Sequence, residues 1–232
     1  MTDKPLKKFL HGVMKFQQTK TKESKSLYEN LASGQAPNCF VLTCSDSRVL
    51  PLYSSNSKGG EVFYARNVGN LIPEPTEEKT KSDVMGSLIY AASHLGVKHF
   101  FIVGHSDCGA MGALLGGREK LKHQKLLYWY LEDGEQMLQE YRNGIQEKYS
   151  KLYSEIDNPK TKLAIFNCQY QCRQLLKYDF MSEKVKEGKI FIHPLFYDIK
   201  KCEILAMDPE KEKFVSLDES LIEKMLKSVG EN

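Results

Sequence analysis

The sequence predicts an α/β fold: a mainly parallel central β-sheet flanked by helices, with an antiparallel edge strand and a projecting N-terminal helix. Three observations carry that prediction. Short apolar, β-prone runs alternate with amphipathic helical stretches, the order that builds a parallel sheet through helical crossovers. Two of those runs, Phe40-Val41-Leu42-Thr43 and Phe100-Phe101-Ile102-Val103, read as buried strands. Each is followed within a residue or two by a cluster of thiol, imidazole or carboxylate side chains, at the strand end where open α/β sheets place their sites.

The elements follow in order. Residues 5–33 read as helical, with Leu6, Phe9, Leu10, Val13 and Phe16 on one stripe and Leu27, Tyr28 and Leu31 continuing it after a polar break. Gly34-Gln35-Ala36-Pro37 ends that helix. A strand is expected over 38–43, then a turn-rich segment with Pro51, Asn56 and Gly59-Gly60, then a strand over 62–65. A helix is expected over 82–95 and a strand over 98–103. A further helix starts after Cys108 and stops at Gly116-Gly117. Residues 118–157 read as polar and helical, and 162–178 as an amphipathic helix. Strands over 190–196 and 202–207 form a closing hairpin, followed by a helix over 217–228.

The whole chain, 1–232, reads as a single domain with a helical arm at 1–33 and a helical insertion at 116–158. A net charge of +3 is close to balance and argues against nucleic acid or membrane as a partner. The basic N-terminus lacks the apolar stretch of a signal peptide, and no run has the roughly 18 apolar residues of a spanning helix. Six cysteines scattered over this length do not make a disulfide framework. The expected setting is cytoplasmic, with reduced thiols.

The chemistry concentrates in Cys44-Ser45-Asp46-Ser47-Arg48 and His105-Ser106-Asp107-Cys108-Gly109. Two thiols and one imidazole form a soft ligand set suited to zinc. Three protein ligands with one open position is the pattern of a catalytic rather than a structural zinc. His105 and Cys108, three apart at a strand-to-helix turn, can converge on one ion, and Cys44 arrives from a second strand. Taken singly, each is an ordinary buried residue; the joint pattern at two strand ends is not. Asp46 reads as a gate and hydrogen-bond acceptor beside the metal, held by a forked pair with Arg48. The alternative is a helix-capping aspartate in a surface ion pair. His11, His94, His99, His123 and His193 have no partner visible in the sequence.

Cys-x-Asp-x-Arg followed by His-x-x-Cys resembles the β-class carbonic anhydrases. Gly34-Gln35-Ala36-Pro37, Phe63, Arg66-Asn67-Val68-Gly69-Asn70 and Phe196-Tyr197-Asp198-Ile199 extend the resemblance, and Tyr90 looks like its plant-type branch. The match is good over 34–115, loose over 160–207 and poor over 116–158. The resemblance implies one zinc per chain on Cys44, His105 and Cys108, and a catalytic dyad of Asp46 and Arg48. It implies a substrate pocket with Gln35, Phe63, Val68, Tyr90 and Gly109, shared across the interface of a homodimer or a dimer of dimers. It also implies the activity, hydration of carbon dioxide to bicarbonate and a proton by hydroxide held on zinc.

Three other readings compete. A hydrolase of carbonyl sulfide or carbon disulfide would use the same ligands and differ only in its pocket. A non-catalytic zinc-stabilised interaction protein has no use for Asp46 and Arg48. A cysteine phosphatase needs an arginine six residues after its nucleophile, and Leu114 stands there after Cys108.

Overall fold

The structure, a computed structural model, describes residues 4–76, 79, 81–145 and 153–231. The chain divides into two compact units, Met1–Ala36 and Pro37–Asn232.

The first unit holds helices α1 (Pro5–Glu23) and α2 (Lys25–Leu31). The polar break is a real interruption: Ser24 leaves helical geometry with ψ at 29° and stands as the N-cap of α2. Phe16 of α1 meets Tyr28 of α2 edge-on at 6.2 Å. The apolar stripe of α1 is exposed, with Leu6 at 70% and Phe9 at 71%.

The second unit is built on a six-stranded sheet of order β2-β1-β3-β4-β5-β6. Its strands are β1 (Cys39–Cys44), β2 (Val62–Asn67), β3 (His99–His105), β4 (Phe191–Asp198), β5 (Glu203–Asp208) and β6 (Lys213–Ser216). β1 to β4 are parallel; β5 and β6 add antiparallel to β4. The apolar runs at 40–43 and 100–103 occupy the two central strands, and both are largely buried. Pro194 sits inside β4, where a missing N–H would break a ladder. It is tolerated because pairing with β5 begins only at Leu195.

From β1 the chain crosses to β2 on one side; β3 lies on the other side of β1 and leads on to β4. The crevice at the C-terminal ends of β1 and β3 is therefore the point where the winding reverses, the usual ligand position in an open α/β sheet.

Among the described residues of this unit the α-helices are α3 (Pro51–Ser55), α4 (Asp83–Ile89), α5 (Gly109–Leu115), α6 (Lys125–Tyr130), α7 (Glu135–Glu140), α8 (Pro159–Leu175), α9 (Asp179–Lys186) and α10 (Glu219–Ser228). Phe40, Leu42, Phe100 and Ile102 pack with Val84, Met85 and Leu88 of α4 and Met181 of α9 in one core cluster. Met111 and Leu114 of α5 pack with Leu163, Ile165 and Phe166 of α8 in the other.

Several elements depart from expectation. The helix expected over 82–95 widens to π geometry over Tyr90–His94. The helix expected from 162 starts earlier, at Pro159, because Asn158 caps it by accepting from the N–H groups of Lys160 and Thr161. A one-turn helix, α3, lies inside the expected turn-rich segment, and α9 and β6 were not anticipated. Of the helical stretch expected over 118–157, residues 146–152 lie outside the described residues.

Candidate metal centre

Cys44 is the last residue of β1, and His105 is the last of β3, the neighbouring strand. Cys108 stands at the N-cap of α5 in extended geometry, its side chain making no cap hydrogen bond. The turn between His105 and Cys108 is tight: Asp107 is left-handed at φ +54°, which aspartate tolerates better than most residues. All three residues are buried, and their ligand atoms lie within 4.8 Å of one another. Among the described residues this is the one such cluster of three or more.

Hydrogen bonding leaves one ring nitrogen of His105 free to face an ion. Its Nδ1 lies 3.0 Å from the Ser106 carbonyl and donates to it. That fixes the tautomer and turns the Nε2 lone pair inward. Nε2 is buried and has no hydrogen-bond partner, a costly state for a polar atom in an otherwise satisfied interior. The sulfurs of Cys44 and Cys108 are neighbours in this cluster, within 4.8 Å of each other. The adjacent Cys108, and after it His105 and two backbone N–H groups, draw the Cys44 thiol down against its burial; the neighbouring Cys44 and burial push Cys108 up. Two adjacent sulfurs and a buried imidazole nitrogen without a hydrogen-bond partner are a soft donor set that fits zinc. The cluster is suited to hold one zinc ion.

The loop after β2 completes the surroundings. Gly69 donates its N–H to Cys44 Sγ at 3.3 Å. Its φ of +85° suits glycine, and a Cβ there would lie 2.8 Å from the Cβ of Ala110. Asn67 folds the loop by exchanging hydrogen bonds with the backbone of Leu71, and Asn167 of α8 donates to the Gly69 carbonyl at 3.0 Å. Arg66 reaches across from β2 to donate to the carbonyls of Cys44, Asp46 and Val49 at 2.9 to 3.1 Å. One guanidinium thus pins the segment that carries the first motif. Sequence reasoning gave Arg66 no role of its own, because its acceptors are backbone atoms.

Asp46 lies beside the cluster, its Oδ2 3.9 Å from His105 Nε2. Arg48 forks it, with Nε donating to Oδ1 at 2.9 Å and an Nη to Oδ2 at 2.7 Å. These bonds hold the Asp46 carboxyl well below the usual carboxylate range, and the Arg48 N–H adds to them. The aspartate is therefore an acceptor at any ordinary pH. It does not cap a helix.

The other expected residues are placed less tightly. Phe63 packs on Phe40 and, at 5.9 Å, on Tyr90. Tyr90 and Val68 are both substantially exposed, at 44% and 42%. The Val68 carbonyl accepts from the Tyr130 hydroxyl at 2.8 Å. Gly109 opens α5 with free space where a Cβ would point. Gln35 is exposed and belongs to the first unit.

Comparison with known proteins agrees with this geometry. The family model described as carbonic anhydrase matches residues 39–204. A carbonic anhydrase of Helicobacter pylori is 31% identical over 216 residues, covering 92% of this chain and 96% of the relative. The solved structure of the β-carbonic anhydrase CcaA superposes with a TM-score of 0.80 at 27% identity, covering 92% of this chain and all of that one. A tetrameric β-carbonic anhydrase from Sordaria macrospora superposes at 0.67 with 25% identity, covering 85% of this chain and 94% of that one.

Proposed function

The chain belongs to the β-class carbonic anhydrases, and from that premise we propose how its own residues carry out the reversible, zinc-dependent hydration of carbon dioxide to bicarbonate and a proton. One observation carries the reading: a buried Cys44–His105–Cys108 cluster with an orphaned Nε2, next to a carboxylate kept ionised by a forked arginine. Zinc, when bound, supplies a Lewis acid that lowers the pKa of water towards neutrality.

The rest falls to side chains. Asp46 accepts a hydrogen bond from the reacting water and aims its lone pair at the carbon of the substrate. Arg48 holds Asp46 in place and keeps it from taking up a proton. The Ser106 carbonyl fixes the ligating tautomer of His105, and the Gly69 N–H takes up part of the charge on the Cys44 sulfur. Phe63, Val68 and Tyr90 offer apolar surface that suits carbon dioxide and not an ion. The proton released leaves to solvent buffer.

We assign the working form to a homodimer or a dimer of dimers. In support, Leu6, Phe9, Leu10 and Phe16 of α1 are each more than half exposed, an apolar face that a second copy of the chain would cover. All six cysteines are free, which suits the reducing cytoplasm. No helix among the described residues is long and apolar enough to cross a membrane.

Stopped-flow measurement of carbon dioxide hydration on the zinc-loaded protein tests the reading. Wild type should turn over, and Asp46→Asn should retain its zinc while losing on the order of 10²-fold in rate. A zinc-replete wild type with no hydration activity would overturn the function. An Asp46→Asn variant as fast as wild type would remove Asp46 from the mechanism.

A further inference from the structure

Arg48 does not serve Asp46 alone. The Nη that reaches Asp46 Oδ2 at 2.7 Å also donates to the Asp107 carbonyl at 3.2 Å. The other Nη lies 3.5 Å from Asp107 Oδ2. The guanidinium is therefore shared between two carboxylates, tightly with Asp46 and loosely with Asp107.

The reason for that ranking lies on the far side of Asp107. Its Oδ1 is taken by Lys160 Nζ at 3.2 Å and Asn158 Nδ2 at 3.4 Å, both at the start of α8. Its backbone N–H donates to Thr161 Oγ1 at 3.0 Å, which fixes the left-handed turn to the same helix end. The carboxylate thus sits against the positive end of a 17-residue helix. The stem of Lys160 is routed over α5 at Gly112, where a Cβ would meet its Cδ and Cε at 3.1 Å.

The charges alternate along one line: Asp46, Arg48, Asp107, Lys160. We propose that Asp107 is a positioning residue for the Arg48–Asp46 pair, and that Lys160 sets how strongly Asp107 draws on Arg48. With Lys160 in place, Asp107 anchors the outer side of the guanidinium and leaves the fork on Asp46 intact. Without Lys160, Asp107 turns to Arg48 for its charge and pulls it from Asp46. Without the Asp107 charge, an Arg48 side chain that is 44% exposed loses its outer anchor. Either change loosens Asp46. Asp107 and Lys160 are about half exposed, and an ion pair so exposed adds little to stability. Its effect should therefore show in the site and not in the melting temperature.

The proposal rests on the assignment of Asp46 and Arg48 given above, so its test includes a measurement that needs no turnover. The Arg48 Nε–H, bonded to Asp46 Oδ1, is followed by ¹⁵N-resolved NMR of the zinc-loaded protein and assigned through Arg48→Lys. Its exchange with solvent should be slow in wild type and clearly faster in Asp107→Asn and Lys160→Met. Lys160→Arg should restore it. In the same variants kcat should fall by roughly 10-fold to 100-fold with KM little changed, as for a misplaced reacting group. Zinc content and melting temperature should stay near wild type. The double variant should be no slower than Asp107→Asn alone. Nε–H exchange unchanged in both single variants, or losses that multiply in the double variant, would overturn the proposal. If wild type hydrates no carbon dioxide, the functional reading falls, and Nε–H exchange still decides the positioning.

Discussion

The two ends of β3 each carry a histidine, and the two are solved in opposite ways. His99 opens the strand and His105 closes it. His99 is satisfied on both ring nitrogens, Nδ1 by His193 Nε2 at 3.1 Å and Nε2 by Glu231 Oε1 at 3.1 Å. His105 is satisfied on one nitrogen, and the other faces two sulfurs with no hydrogen-bond partner. Burial and histidine alone do not make a metal site. The distinguishing mark is a buried lone pair left without a donor, next to further soft ligands. The His99 end has both ring nitrogens engaged and reads as structure; the His105 end offers a donor set suited to a metal ion.

The sharpest way to break this contrast is to alter each end in turn. Cys44→Ser, Cys108→Ser and His105→Ala should each lose zinc and activity. The drop in metal affinity should exceed the roughly 100-fold cost of an outer-shell partner. His99→Ala should keep both. Metal analysis and hydration rates on the four variants decide it; a His99→Ala protein without zinc would erase the contrast.

A smaller effect is expected in the loop that serves only the His105 end. Gly69→Ala forces a side chain into a left-handed position and against Ala110. It should lower stability by about 1–3 kcal/mol and loosen the Gly69 N–H bond to Cys44. Urea denaturation of the zinc-loaded protein measures it, and an unchanged midpoint would show that the loop yields freely.

The smallest effect sharpens the other end. Burial, and secondarily the neighbouring His99, lowers His193 to about 4, while Glu231 opposes the shift. The folded-state value lies below the unfolded one, so the unfolded chain binds the proton first as pH falls. The neutral His193 therefore contributes stability fully above about pH 6.5, and that contribution is lost progressively towards pH 4. Allowing for partial solvent access, the loss should be about 1 kcal/mol by pH 5. Comparing the pH dependence of unfolding in wild type and His193→Phe isolates it. Parallel curves would show that His193 titrates normally in the fold.

Much of the site was legible before any coordinates. Cys44, Asp46, Arg48, His105 and Cys108 lie in two short segments, each directly after a strand-like run, and strand ends that carry such residues converge. The fold class followed from the same alternation of apolar runs and amphipathic stretches. What escaped notice was of two kinds. β6 has four residues, two of them Lys213 and Ser216, and α9 follows α8 after only a few residues; both are too short or too polar for periodicity to single out. The supporting shell escaped for a different reason. Arg66 acts 17 to 22 residues away, Lys160 on Asp107 across 53, and Asn167 on Gly69 across 98. No local pattern announces such partners.

The sequence by itself determined the fold class and the two strand-end segments that supply Cys44, Asp46, Arg48, His105 and Cys108, because each segment is written in residues a few positions apart whose backbone geometry is locally constrained. The tertiary structure alone decided which histidine is left unsatisfied and how Arg48 is shared. It also decided that Arg66 and the start of α8 hold the two motifs in register. These depend on hydrogen bonds between groups far apart in the chain. Such bonds gain their meaning only once packing has removed the water that would otherwise satisfy every one of them.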